Sequence, residues 1–578
     1  MEERVTVALL LLLTISITAY HITDKHLLDL SSYQELLGAR NFLEGKELST
    51  SMLNRLTAAV YSFFSTGELN SSLLLTIAKV IPILLSLLSV VAFYFMLKQM
   101  LSPLASFAGA VFLLSSQAFL LKMSSGIYAH DSLGMCLFIL ACSSLFIFKL
   151  KKNYLLLILS SALFLLSSFG WDAGWVMPAA VTLSLLAEFI FQREKEYSSL
   201  AAVALASLIS YLTTSPAIFS KTLTLNPLSL PTLPLLIIGA ALLLAKAAGR
   251  YKCKGKFEFF TASIFIISVL LSNFDAFPAS FGIALFSAFS INELLNLKEE
   301  KAVLAVFSLI LLFVSFEFTK TFMKFEQSII VSLFIAASSV FIVSLYRDRR
   351  INVYITFSLI LLLLFSSVGV AALTQLRLSD VVGEQVDEMM EWAKELPEAN
   401  FWAFRITPLL EFTSGKQGYG NDTEFAQFIL SNQSVEFLKE RNITHLVVDA
   451  SMFDNIEMIK TIANNTKVRI DSFRLYGTQV DQNRNYYAVF VTADGKAAFV
   501  QYDPLTGNLL EGDVVIYMGE GRRTVPLKKF LRVGSYRLIY PQDNYRVNLF
   551  LLFFENVDGL KEVYTSETGE MKVFEVLG

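Results

Sequence analysis

Thirteen apolar runs, each suited to crossing about 30 Å of hydrocarbon at roughly 20 residues a crossing, fill the chain before residue 374, and none follows. They lie near 5 to 22, 72 to 98, 102 to 121, 131 to 149, 153 to 169, 171 to 190, 198 to 214, 229 to 247, 258 to 272, 275 to 293, 302 to 319, 327 to 345 and 351 to 373. Backbone polar groups in lipid must be satisfied within each segment, so these runs predict helices. The chain is expected to be a polytopic α-helical membrane protein over 1–373, with a polar domain over 374–578. Its composition, 54% hydrophobic and 17% charged, departs from a globular average of about 45–50% and about 25% and excludes a soluble enzyme, a disordered chain and a coiled coil. No small-residue cleavage site follows the first run, so it is read as a helix rather than a signal peptide.

Positive residues mark the loops retained in the cytoplasm. One set of alternate loops carries Lys149, Lys151 and Lys152, Arg193 and Lys195, Lys246 to Lys256, Lys298 and Lys301, then Arg347, Arg349 and Arg350. The other set, including Lys122 to Asp131, Gly170 to Asp172 and Ser272 to Asp275, is poor in them. With thirteen crossings the amino terminus is placed in the cytoplasm and the tail outside, in the plasma membrane or an endoplasmic-reticulum-type membrane. Five Asn-x-Ser/Thr triplets, headed by Asn70, Asn421, Asn432, Asn442 and Asn464, fall on the outer side of that arrangement. A net charge of −3 offers no footprint for nucleic acid. The three cysteines, Cys136, Cys142 and Cys253, provide neither a disulfide in the tail nor a zinc motif.

The first outer loop, 23 to 71, is long and patterned. Tyr33, Leu36, Leu37, Arg40, Phe42 and Leu43, and then Leu53, Leu56, Ala59, Val60 and Phe63, recur at near-helical spacing. Two short amphipathic helices are expected, their apolar faces against the membrane block or its interface. In the tail, Val382 to Leu396, Phe425 to Leu430 and Ser434 to Arg441 read as helices and Thr444 to Asp449 as a buried strand. Strands are expected at Tyr486 to Thr492, Ala497 to Tyr502, Val514 to Met518, Tyr536 to Tyr540, Val547 to Phe554 and Met571 to Val576, which makes a mixed α/β domain.

Three strings within this frame resemble the catalytic subunit of oligosaccharyltransferase, in particular its single-subunit archaeal kind. Ser31-Ser-Tyr33 through Ala39-Arg40-Asn41 to Gly45 follows the family's first-loop motif, with Ser31 where a metal-binding Asp is usual. Gly126-Ile-Tyr128-Ala-His130-Asp131-Ser-Leu133-Gly134 resembles its second acidic motif, with Asp131 kept and Leu133 in place of the other carboxylate. Asn400-Phe-Trp402-Ala-Phe-Arg405 stands where the family has Trp-Trp-Asp-Tyr-Gly, and Trp402 alone matches; Phe437 to Met452 resembles the strand downstream. The family's Glu before a Pro is absent from Thr224-Leu-Asn-Pro227.

The resemblance implies a GT-C membrane fold of thirteen helices and an outer carboxyl-terminal domain. It also implies transfer of a glycan from a lipid-linked oligosaccharide to Asn of an acceptor polypeptide, with membrane lipids around the chain. Family members hold a divalent cation, Mn²⁺ or Mg²⁺, at the leaving pyrophosphate, and such hard ions take oxygen ligands. The candidates for that metal here are Asp29, two residues before the expected position, with His130 and Asp131; Asp29 and Asp131 are the catalytic candidates. The competing reading has Asp29 solvated and His130-Asp131 capping a helix. Trp171, Asp172, Trp402 and Arg405 are the candidate donor- or acceptor-binding residues, against interfacial anchoring or core packing for the tryptophans. Ser31, Leu133, Thr224 and the altered Trp402 string equally suit a non-catalytic paralogue that binds acceptor protein, lipid-linked glycan or a partner subunit. The sequence carries no signal for an oligomeric state.

Overall fold

The computed structural model describes residues 3–46, 51–65, 69–171, 174–191, 197–213, 276–296, 349–377 and, with short breaks, 384–577, with a few more between 236 and 267. Two compact units result, Met1–Asp380 and Val381–Gly578. The expected spans at 302 to 319 and 327 to 345 lie outside the described residues, as do most of those at 229 to 247 and 258 to 272.

The first unit contains helices α1 (Glu3–Thr18), α2 (Leu30–Leu43), α3 (Met52–Phe64), α4 (Ser71–Lys98), α5 (Pro103–Leu114), α6 (Gln117–Met123), α7 (Asp131–Lys151), α8 (Tyr154–Phe169), α9 (Val176–Phe191), α10 (Tyr197–Thr213), α11 (Ala276–Asn296) and α12 (Arg349–Arg377). Among the described residues, α4 and α7 are long and apolar enough to cross a membrane, and α5 with α6 makes a third span if the pair, bent by 65°, counts as one. The bend sits at Ser115-Ser116, where Ser116 Oγ accepts from Phe119 N–H and so caps α6 instead of continuing the α5 ladder. Helix α7 packs between α4 and α8, and α5 lies against α11. Leu155 and Ile158 on α8 and Phe365 on α12 are exposed by 73%, 66% and 73%. Lipid tails cover such faces at no cost, whereas water would not.

Helices α2 and α3 are the expected pair of the 23–71 segment. Helix α2 buries Tyr33, Leu36 and Leu37. Helix α3 turns the other way: Leu53, Asn54, Thr57, Ala58 and Tyr61 are buried, while Leu56 and Phe63 are exposed by 37% and 83%. Its polar stripe faces inward because Asn54 and Thr57 find hydrogen-bond partners there, which leaves the apolar stripe on the exposed side.

The second unit holds α13 (Glu384–Glu395), then β1 (Asn400–Ala403), α14 (Thr407–Ser414), β2 (Gln417–Gly418), α15 (Asp422–Ile429), α16 (Glu436–Glu440), β3 (His445–Asp449), α17 (Ser451–Asp454) and α18 (Ile456–Ala463). Strands β4 (Ile470–Val480), β5 (Tyr486–Val491), β6 (Ala497–Gln501), β7 (Asp513–Met518), β8 (Gly521–Pro526), β9 (Leu531–Val533) and β10 (Arg537–Pro541) precede α19 (Asn548–Phe554), β11 (Leu560–Thr565) and β12 (Met571–Val576).

One sheet has the order β11-β12-β3-β1-β2, with β1, β2 and β3 parallel and β12 antiparallel to β3. Strands β1 and β3 are buried almost throughout, as parallel strands covered on both faces must be. The other sheet is antiparallel, in the order β8-β7-β6-β5-β4-β10-β9. Its strands bury alternate residues, such as Ala488 and Phe490 on β5 and Ala498 and Val500 on β6, against a core with Phe473 and Val514.

The strand expected at Val547 to Phe554 is instead the helix α19. An unbroken apolar run has no period to distinguish the two. Asn-Leu-Phe-Leu-Leu-Phe-Phe contains no β-branched residue, and Leu549, Leu552 and Phe553 recur at helical spacing on the buried side.

Candidate functional site

The 124 to 130 segment between α6 and α7 is pinned from several sides, and this builds a polar cluster at the first turn of α7. Leu28 N–H donates to Gly126 O at 2.7 Å. Tyr128 N–H donates to the buried Ser32 Oγ at 2.9 Å, on the first turn of α2. The Tyr128 hydroxyl donates to Asn54 Oδ1 at 3.0 Å, so the 2.6 Å contact with Thr57 Oγ1 has the threonine as donor. From α12, Gln375 Nε2 donates to Ser124 Oγ at 2.6 Å, while Gln375 O lies 3.0 Å from His21 Nε2. Burial pushes the Tyr128 phenol well above its ordinary range, so it acts as a neutral hydrogen-bonding post.

Glu35, one helical turn after Ser31, carries the cluster onward. Its Oε2 accepts from Ser51 Oγ at 3.3 Å and Asn54 Nδ2 at 3.5 Å, and Oε1 lies 3.3 Å from His130 Nδ1. The other ring nitrogen, His130 Nε2, is 3.3 Å from Asp131 Oδ1, at ion-pair distance but outside hydrogen-bond geometry. The second Asp131 oxygen accepts from the Lys122 ammonium on α6. All four side chains are partly buried, where ion pairs are screened less than at a free surface. Gly134, one turn into α7, sits where a Cβ would lie 2.5 Å from Trp171 Cβ and 2.7 Å from Gly170 O. Close approach at that point sets the first turn of α7 against the 170–171 turn.

The sequence-derived metal set does not assemble. Asp29 is exposed and caps α2: one oxygen accepts from Ser31 N–H at 3.2 Å and the other from the Ser31 hydroxyl. His130 and Asp131 are adjacent, but each is committed to a charged neighbour. Among the described residues no group of three His, Cys, Asp or Glu could hold a metal ion. The donor set therefore does not fit Mn²⁺ or Mg²⁺, which require several oxygens converging on one point. Sequence reasoning missed Glu35, Asn54 and Thr57. The spacing of Ser31 and Glu35 at i,i+4 on a helix was the available signal for the first.

Of the remaining candidates, Trp171 belongs to the first unit and Trp402 and Arg405 to the second. Trp171 is buried to 2% exposure, with its ring 5.6 Å from Phe277 on α11. Asp172 lies outside the described residues. Trp402, on β1, is fully buried among Phe425, Phe428, Phe437 and Tyr419, with ring centroids 5.0 to 5.9 Å away. Its indole nitrogen has no hydrogen-bond partner among the described residues. Arg405 is exposed, holds a left-handed backbone at φ 63°, and donates its N–H to Asp422 Oδ1 at 2.9 Å.

No protein-family model matches the chain, and no curated protein matches it by sequence. Solved structures do. The crystal structure of the Archaeoglobus fulgidus oligosaccharyltransferase in the apo form covers 98% of this chain and 80% of its own, with a TM-score of 0.63 and 10% identity. The same protein tethered to an acceptor peptide containing the NVT sequon gives 0.60 at 11% identity, covering 97% of this chain and 79% of that one. In complex with an inhibitory peptide and a dolichol-phosphate, named there as archaeal oligosaccharyltransferase AglB, it gives 0.54 at 12% with the same coverage. It has also been solved with zinc and sulfate, at 0.53 and 12%, again with that coverage. The chain thus has the fold of a membrane oligosaccharyltransferase, at an identity that speaks for the fold alone.

Proposed function

We propose that this chain is an integral membrane glycosyltransferase of the oligosaccharyltransferase kind, moving a glycan from a lipid-linked donor to Asn of acceptor polypeptides. The observation that carries the reading is the continuity of the likeness: one solved fold is matched over 98% of the chain, through the membrane block and the tail alike. In this reading thirteen helices cross the bilayer, the amino terminus is cytoplasmic, and the domain over 374–578 is extracytoplasmic. The neighbours solved with peptide and with dolichol-phosphate support a polypeptide and a polyprenyl-phosphate lipid as the partners. Within the chain, Lys122 supplies positive charge at the first turn of α7, where donor phosphates are to be received; Asp131 holds its ammonium in place, and His130 lies between Asp131 and Glu35.

The second reading is a non-catalytic paralogue that binds acceptor, lipid-linked glycan or a partner subunit. It is favoured by the engagement of Asp131 with Lys122 and the burial of Trp402. Transfer from lipid-linked oligosaccharide to an Asn-x-Thr peptide, assayed on the purified chain with Asp131→Ala beside it, separates the two. Glycopeptide from the wild type, lost in the variant, is expected for the enzyme. A folded wild type that binds peptide or lipid yet makes no glycopeptide is the paralogue.

A further inference from the structure

We propose that the Lys122 ammonium stands where a divalent cation would otherwise sit, so that the first turn of α7 takes up no divalent cation. The inference rests on the preceding section for the location of the site, but not on transfer activity. Each carboxylate there already has a neighbour bearing a proton or charge. Asp131 takes Lys122 on one oxygen and faces His130 with the other; Glu35 takes Ser51 and Asn54 on one oxygen and His130 on the other. Asp29, the residue that could replace the carboxylate absent at Ser31, spends both oxygens on Ser31. A divalent ion entering this cluster would displace an internal cation and separate His130 from two carboxylates at once. Coordination of Mn²⁺ needs several free oxygens about one point, and the described residues provide no such group.

The test is a Mn²⁺ titration of the full-length protein in nanodiscs, read by the paramagnetic resonance signal of free aqueous Mn²⁺. The wild type is expected to leave that signal unchanged when protein and Mn²⁺ are equimolar at micromolar concentration. Lys122→Met, which releases Asp131, is expected to gain at least tenfold in Mn²⁺ affinity; Lys122→Gln replaces it if the Met variant does not fold. One equivalent of Mn²⁺ retained by the wild type and lost in Asp131→Asn overturns the proposal. So does an unchanged affinity in the folded Lys122 variant, since the ammonium would then not be what holds the site against a cation. Because the readout is the metal itself, failure here leaves the transfer assay free to succeed or fail independently.

Discussion

Tyr128 and Thr57 meet hydroxyl to hydroxyl at 2.6 Å across 71 residues of sequence, joining the turn before α7 to the inward face of α3. Tyr128→Phe removes the donor to Asn54 and the acceptor for Thr57 in a buried setting. Leaving such groups unmatched costs about 1–3 kcal/mol. Thermal unfolding in detergent is expected to fall for Tyr128→Phe and for Thr57→Val separately, with the double variant losing less than the sum. Additive losses would show that the two hydroxyls do not act together.

Gly134→Ala is a second probe of the same corner. The new methyl would meet Trp171 Cβ at 2.5 Å and Gly170 O at 2.7 Å, and backbone cannot swing aside as a flexible side chain can. Overpacking of this kind costs about 1–3 kcal/mol. A melting temperature equal to that of the wild type would mean that α7 and the 170–171 turn are not held this closely.

In the tail, Trp402→Ala is expected to cost about 3–5 kcal/mol, because a fully buried indole leaves a cavity among four aromatic rings. Trp402→Phe should cost far less, since no hydrogen bond to the indole nitrogen is lost among the described residues. If Trp402→Phe unfolds normally but loses acceptor peptide in a binding assay, the indole acts on the ligand rather than the core.

Arg405→Gly separates backbone from charge. The left-handed φ of 63° costs an L-residue about 1–2 kcal/mol, which glycine does not incur, although its own chain entropy offsets part of the gain. Stability is therefore expected to hold or rise. Weaker binding of vesicles carrying a polyprenyl phosphate, at unchanged stability, would place the guanidinium on the lipid headgroup.

Acid should weaken the tail in two windows. Burial lowers the His445 pKa from 6.5, with Glu575 opposing. The unfolded chain thus binds the proton first, and stability falls as pH drops below about 6.5. The hydrogen bond from Arg441 lowers the Glu424 pKa from 4.5, so its contribution is complete above that value and disappears as pH falls through the lowered one. Asp449 has the opposite sign: burial raises its pKa from 3.8, and its contribution is present below 3.8 and lost as pH rises through the raised value. Trp392, 6.3 Å from the His445 ring, reports the first window by fluorescence. His445→Gln should flatten the denaturant midpoint between pH 7 and 5.5.

What the sequence reveals depends on the kind of pattern. Periodic stretches were legible: α2 and α3 appear where Tyr33, Leu36, Leu37 and Leu53 recur, and β12 spans Met571–Val576 as expected. The orientation of α3 was not, because its polar and apolar stripes are both contiguous and tertiary hydrogen bonds to Tyr128 decide between them. The run at Asn548–Phe554 had no period to read. Asp131 was visible as a lone carboxylate in a recognisable string, whereas its pairing with Lys122 is a contact between the α6 and α7 helices that no spacing in the string shows. Glu35 lies one turn after Ser31, outside the position where the resembling string carries its acid, so the string does not point to it.

Strand β12 pairs with β3 on one side and β11 on the other, so the five-stranded sheet is joined through residues made long after β3. Roughly 120 residues separate Asp449 from Met571, and at about 5–20 residues per second a ribosome needs some 6–24 s to traverse them. Throughout that interval β3 waits with an open edge while the whole antiparallel sheet is made. An edge left open in this way is a template for mispairing, and slowing elongation across it should raise loss to proteolysis more than slowing that of the helices before it.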